Sequence, residues 1–195
     1  GPLLQNINSK MNLCSTGQKV LYRTLVKIFN KRTLQKRPES VWDDKFGGQK
    51  PQWRSLYKPP IRKRTGDLQW RILHGATATN SFLSVITPGV LNECPFCSMS
   101  ENVFHVFMDC VRLSTFFNLL MSVFNLFGVV FTTSLFINGV RYCMAYKLKS
   151  QILNFLIAEA KMAIYISRRD RLRAGPHLVA VALWKCNVKA RIRLE

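Results

Sequence analysis

The most constraining feature of this chain is Cys94-Pro95-Phe96-Cys97 followed by His105 and Cys110, a C-x2-C-x7-H-x4-C spacing. Two intervening residues let the sulfurs of Cys94 and Cys97 reach one metal while the amide N–H groups of the turn hydrogen-bond them. Pro95 stiffens that turn. Three thiolates and one imidazole make a closed tetrahedral set without a vacant water position, the composition of a structural zinc site. One structural Zn2+, held by Cys94, Cys97, His105 and Cys110, is therefore the expected cofactor. The alternatives are buried unligated thiols beside a core histidine and, more weakly, a redox C-x-x-C, for which no thioredoxin-like βαβ pattern is present. Ser98-x-x-Glu101 reads as a capping box, predicting a helix that begins just after the second thiolate and carries His105 inward. Residues five apart diverge by about 140° on an ideal helix, so Cys110 is expected where that helix ends or distorts. Cys14, Cys143 and Cys186 lack such spacing and read as spare thiols, and neither His74 nor His177 is needed as a ligand.

Charge is the second constraint. Among 195 residues, 29 Lys+Arg face 10 Asp+Glu, a net +19, while a hydrophobic fraction of 48% is enough to build a core. Such a body repels itself unless a polyanion neutralises it, which points to nucleic acid or an anionic surface. So few carboxylates also leave little material for two-metal or paired-carboxylate catalysis. The cations sit on the flanks. Residues 1–38 hold eight and no acid, 50–71 hold seven against Asp67, and 161–193 hold nine against Asp170. From Ile72 to Val140 only Arg112 faces Glu93, Glu101 and Asp109. The start Gly1-Pro2-Leu3 has neither an initiator Met nor an apolar leader, and with six cysteines this implies reduced thiols. Ile152 to Ile166, interrupted by Asn154, Glu159 and Lys161, is too short to span a membrane, so no membrane partner is expected.

The periodicity predicts a mainly α protein, an irregular helical domain with an inserted CCHC zinc knuckle. A basic amphipathic helix is expected within 1–38. There Leu21, Leu25, Ile28 and Phe29 oppose Lys19, Arg23, Lys27 and Lys31, a pattern that fits either a solvated face or phosphate tracking. Residues 39–64, with Gly47-Gly48, Pro51 and Pro59-Pro60, read as a linker or irregular segment pinned to a core by Trp42, Trp53 and Tyr57. A helical zinc-binding domain is expected over 65–169. Its first helix starts at Thr65 as N-cap, with Asp67 in the first turn, and runs to about Leu83 with Leu68, Ile72, Ala76, Thr79 and Leu83 buried. Trp70, Arg71 and His74 fall on its other side, as a second packing surface or as an aromatic platform for a base or sugar. Arg62-Lys63-Arg64 just ahead of it would seat a phosphate.

An apolar helix from Leu113 to Phe127, stopped by Gly128, should follow, then strand or loop over Val129 to Val140. The next helix, from about Ala145 to Arg169, is expected to bury Leu148, Ile152, Phe155, Leu156 and Met162 or Ala163. Its cationic end, Arg168-Arg169-Asp170-Arg171, suits a helix C-terminus or a phosphate site. A last helix within 176–195 carries Trp184, Val188 and Ile192 beside Lys185, Lys189 and Arg193. That pattern has not closed at Glu195, so truncation is expected.

Trp53-Arg54-Ser55-Leu56-Tyr57-Lys58-Pro59-Pro60, Gly66-Asp67-Leu68-Gln69-Trp70-Arg71-Ile72-Leu73-His74-Gly75 and the spaced Cys94, Cys97, Glu101, His105 and Cys110 together resemble a known family. It is the reverse-transcriptase zinc-binding domain at the C-terminus of LINE-type (non-LTR) retrotransposon polyproteins, closest to elements common in fish genomes. The likeness spans roughly Trp53 to Arg169. It implies an RNA-directed DNA polymerase parent that also carries an endonuclease. It also implies that this region grips template RNA or target DNA during target-primed reverse transcription, in the nucleus after a cytoplasmic ribonucleoprotein stage. By residue it carries over only the four zinc ligands and no settled base contacts. The phosphate-contacting set expected from charge is Lys19, Arg23, Lys27, Lys31, Lys58, Arg62, Lys63, Arg64, Arg71, Lys185, Lys189 and Arg193, with Trp70 for stacking. The Asp43-Asp44 pair lies in a Gly/Pro-rich stretch and reads as a polar loop rather than a polymerase carboxylate turn, so the chain itself is not expected to catalyse. A protein–protein docking module, favoured by the Phe-rich stretch Phe116 to Phe131, and a domesticated host protein are the rival readings.

Overall fold

A computed structural model describes residues 38–169 together with Trp184, Lys185 and Val188. The chain divides into two compact units, 1–38 and 39–195. The predicted basic helix with Lys19, Arg23, Lys27 and Lys31 lies outside the described residues. So do Cys14, His177, Cys186, Lys189, Ile192 and Arg193. The described part is mainly α, and it contains no strand.

Five α-helices follow in order: α1 Lys63–Leu73, α2 Asn80–Ile86, α3 Ser114–Leu126, α4 Thr133–Asn138 and α5 Lys147–Arg169. The principal packing is α1 on α5. Leu68, Ile72 and Leu73 of α1 are fully buried with Leu153, Ile157, Ala160 and Ala163 of α5. Phe116, Leu120 and Phe124 of α3 bury one stripe at helical spacing in the same core. Gly66 has no room for a side chain, because a Cβ there would stand 2.6 Å from the Tyr57 ring and 2.7 Å from the Leu56 carbonyl.

Several expected boundaries move. Helix α1 begins after Arg62 rather than at Thr65, whose hydroxyl instead donates to Glu159 Oε1 at 3.4 Å. Asp67 accepts from the Tyr57 hydroxyl at 2.9 Å. The helix stops at Leu73 instead of Leu83, because Gly75 takes φ +65°, a left-handed conformation that ends a helix cheaply. Ala76 is consequently exposed, and Thr79 becomes the N-cap of a separate helix, accepting from Phe82 N at 3.4 Å. The stretch 129–140 is neither strand nor simple loop but contains α4, capped by Thr132. Leu148, expected inside, is 70% exposed.

The irregular stretch from Glu39 to Arg62 packs by closing the end of α1. The Ser40 hydroxyl and Val41 N–H donate to Leu73 O at 2.8 and 3.1 Å, and Trp42 Nε1 donates to Ile72 O at 3.0 Å. Carbonyls at a helix C-terminus have no partners within the helix, and here a distant segment supplies them. Trp42 is fully buried, stacked on Phe46 and edge-on to Phe104 at 4.7 Å, whereas Trp53 is half-buried and Tyr57 exposed. Asp43 Oδ2 accepts from Glu39 N and Ser40 N, and Asp44 is exposed, so this pair shapes a turn. Near the far end, Trp184 is buried, with Nε1 donating to Leu156 O at 3.1 Å, while Lys185 is exposed.

Candidate metal centre

The knuckle begins as a tight loop. Cys94 N donates to Met99 O at 2.7 Å, and Ser98 N returns a bond to Cys94 O at 2.9 Å. Ser98 turns the chain at φ +58°, so it is a loop residue and not the cap of a helix. The expected capping box is replaced by two separate devices. Asn102 Oδ1 caps the following turn by accepting from His105 N at 2.9 Å. Glu101 is folded fully inside, where it accepts from Asn80 N at 2.7 Å and is held by the Arg168 guanidinium.

His105–Asp109 forms a π turn closed by Cys110 N donating to His105 O at 3.0 Å. That i-to-i+5 bond resolves the angular problem posed by the spacing. A wider turn brings residues 105 and 110 to one side, which an α-turn would leave on divergent faces. His105 Nε2 lies 3.2 Å from Cys97 Sγ, and Cys97 Sγ lies 3.8 Å from Cys110 Sγ. The ligand atoms of Cys94, Cys97, His105 and Cys110 all fall within 4.8 Å of one another. A tetrahedral ion with metal–sulfur bonds of about 2.3 Å needs its ligand atoms roughly 3.8 Å apart. The four residues are therefore positioned to bind a metal ion.

Their protonation suits that task. Cys94 is pulled down to about 5 by a hydrogen bond from Cys110, against the opposing effect of burial, with the Phe96 and Cys97 amides also donating to its sulfur. Cys110 is pushed up by the same bond to Cys94 and by burial. A cation binding here would replace the proton held between these two thiols. Cys143 is a free exposed thiol apart from this cluster.

Glu101 and Arg168 anchor the knuckle. Arg168 Nε donates to Glu101 Oε2 at 2.8 Å, Nη2 reaches Glu101 Oε1, and Nη1 donates to Ala78 O at 3.0 Å. Ile164, Ser167 and Arg168 of α5 line the same recess as Cys94 and Cys110. Arg168, expected as part of a cationic helix end, is thereby committed to a carboxylate. Sequence reasoning missed this pairing. The one available signal was a carboxylate in a stretch nearly free of charge.

Among the described residues, the expected nucleic-acid contacts do not line one cleft. Arg62, Lys63 and Arg64 are exposed at the start of α1, and Trp70 is 43% exposed one face along it. Arg71 lies 5.9 Å from the Tyr165 ring, and Lys58 Nζ sits 3.4 Å over the Tyr142 ring. Sequence reasoning did not foresee Trp53 stacking on His74, with ring centres 5.2 Å apart, while His74 meets Trp70 at 4.2 Å.

These features define a helical domain with a Cys3His cluster positioned to bind a metal ion. The chain is 34% identical over 179 residues to the Transposon TX1 uncharacterized 149 kDa protein of Xenopus laevis, an alignment covering 91% of this chain and 14% of that protein. The similarity supports a transposon origin, and the chain spans about one seventh of the relative it matches. No protein-family model matches the chain, and no solved structure does.

Proposed function

We propose that this chain is a non-catalytic, zinc-stabilised nucleic-acid-binding module of a retrotransposon reverse transcriptase/endonuclease. In this reading it grips template RNA or target DNA during target-primed reverse transcription, beside the polymerase and endonuclease domains of the same polyprotein. It works in the nucleus after a cytoplasmic ribonucleoprotein stage. The observation that carries the reading is the four-donor cluster set in a chain of net charge +19. Zinc is the metal, since three thiolates and one imidazole in a closed tetrahedron match its preferences. Similarity to a transposon-encoded protein supports the polyprotein setting.

Two jobs are separate. A zinc with three thiolates carries net negative charge, and of the cations lining its recess Arg168 is already paired with Glu101, so the knuckle is a poorer seat for phosphate than the cationic start of α1. It fastens α2 and α5 while the cations at Arg62, Lys63, Arg64 and Arg71 take the phosphodiester chain. Replacing Arg62, Lys63 and Arg64 together by Ala should leave the fold intact and flatten the slope of log affinity against log salt by about two to three units. Circular dichroism and a salt-titrated gel shift read the two effects. Cys97→Ser should instead abolish cooperative unfolding. If Cys97→Ser keeps its fold and loses only oligonucleotide affinity, the knuckle touches nucleic acid and the division is wrong.

One observation favours a second reading, a protein-docking module. Helix α2 buries none of its residues, and Phe82, Val85 and Ile86 are 58%, 83% and 59% exposed at helical spacing. No oligonucleotide binding even at low salt would favour that reading.

A further inference from the structure

We propose that Trp53, His74 and Trp70 form an aromatic ladder whose outer ring, Trp70, takes an unpaired nucleobase, making the preferred ligand a single strand rather than a duplex. The inference rests on the nucleic-acid reading above and specifies its ligand. His74 is the middle rung. Its ring centre lies 5.2 Å from Trp53 with planes 23° apart and 4.2 Å from Trp70 with planes 48° apart, and no ring contact joins the two tryptophans among the described residues. Trp70 makes no other ring contact among those residues and keeps 43% of its surface exposed. Rings stacked only to close a helix end would be covered. This ladder instead leaves much of the Trp70 side chain open to solvent.

The backbone makes the ladder firm. His74 is the C-cap of α1, its N–H directed to Trp70 O at 3.1 Å, and Gly75 turns the chain directly after it. Trp53 comes from the irregular segment and is held by Nε1 donating to Glu39 Oε2 at 3.4 Å. A prearranged aromatic face spends no entropy on ordering when a base arrives.

Charge chooses the end of the ladder. At the Trp53 end Glu39 and Lys50 form an ion pair at 2.8 Å, so that end offers a phosphate no surplus positive charge. At the other end, Lys63 and Trp70 are seven residues apart on α1, two turns or about 10 Å along one face, and Arg64 and Arg71 repeat that spacing. A base lying on Trp70 would thus have its neighbouring phosphates within reach of the exposed Lys63 and Arg64 and the partly exposed Arg71. A base pair cannot offer a free face without opening, so the arrangement discriminates against duplex.

The test compares labelled single-stranded RNA and single-stranded DNA of one sequence with the corresponding duplex, titrated against the full chain at several salt concentrations. Trp70→Ala should weaken both single strands about tenfold, within the range one base–aromatic stack contributes. Duplex affinity and the salt slope should stay unchanged within twofold, and Trp70→Phe should recover most of the loss. Trp70→Phe also guards against misfolding of the alanine variant, because an aromatic ring is retained. Preference for one sugar over the other identifies which strand is the source and leaves the stacking claim standing. Equal loss on duplex and single strands, or no loss on either, would overturn the ladder while leaving nucleic-acid binding intact. Absence of binding to every oligonucleotide by the unaltered chain would overturn both.

Discussion

Lys161 has no exposed surface, and its ammonium donates to Ile137 O at 2.9 Å and Gln69 Oε1 at 3.3 Å, with the Phe136 ring 5.6 Å away. Burial lowers its pKa from 10.5 to about 7. Between those two values the unfolded chain binds a proton that the folded chain has released, so stability must rise as pH rises through that window. Below about pH 7 both states are charged and the penalty of burying the cation is fully present. Urea unfolding of the metal-loaded protein should show stability rising between roughly pH 7 and 10, with Lys161 contributing up to about 1.4 kcal/mol per pH unit on top of the slope from the ligand thiols. In Lys161→Met the slope should fall by that contribution, and an unchanged slope would mean that Lys161 does not titrate in this window. Helical periodicity placed Phe155 and Leu156 inside but made Asn154, Glu159 and Lys161 look like interruptions of a greasy stretch. Each is buried because its partner is distant in sequence. Asn154 holds both backbone groups of Val140, Glu159 accepts from Thr65, and Lys161 donates to Gln69 and Ile137. Apolar spacing says nothing about such long-range pairings.

Glu101 decides how three elements meet. Its carboxylate takes the first N–H of α2 and the guanidinium of α5, while its carbonyl accepts from Ser81 N at 2.9 Å. Removing one member of a buried ion pair costs about 3–5 kcal/mol, since the other charge stays buried alone. Glu101→Ala should therefore lower stability by that amount and weaken metal retention, measured by denaturant unfolding and by competition with a chromophoric chelator. Arg168→Met should cost less in the Glu101→Ala background than in the unaltered protein, because the pair acts as one unit. The existence of α3 and α5 could be read from their apolar spacing with nearly correct ends. The break at Leu73 and the inward turn of Glu101 could not, because Gly75 and Ser98 set backbone angles that hydrophobic patterning does not report. The donor set itself was legible, since ligand spacing is a local property of the chain.

The buried core reaches from the Trp42 turn to Trp184, and the knuckle packs into it through Phe107, Val106 and Leu113. Metal binding and folding of this unit should then be one equilibrium. Removing the ion with a strong chelator should abolish the cooperative melting transition followed by circular dichroism, and adding zinc back should restore it. An unchanged midpoint in metal-free protein would show that the thiols are incidental to the fold. The described residues include no helix long and apolar enough to cross a membrane.

The wide turn between His105 and Cys110 has a consequence for how this gap can change. A π turn is what an ordinary helical turn becomes after gaining a residue, and the surplus amino acid is absorbed as a bulge. Losing Met108 would relax the bulge and leave the imidazole and the last sulfur one α-turn apart, still facing the same ion. Gaining another residue would swing that sulfur away and leave the ion with an open position for water. The loop length is therefore tolerant in one direction only, and the forbidden direction is the one that would turn an inert clasp into a reactive centre.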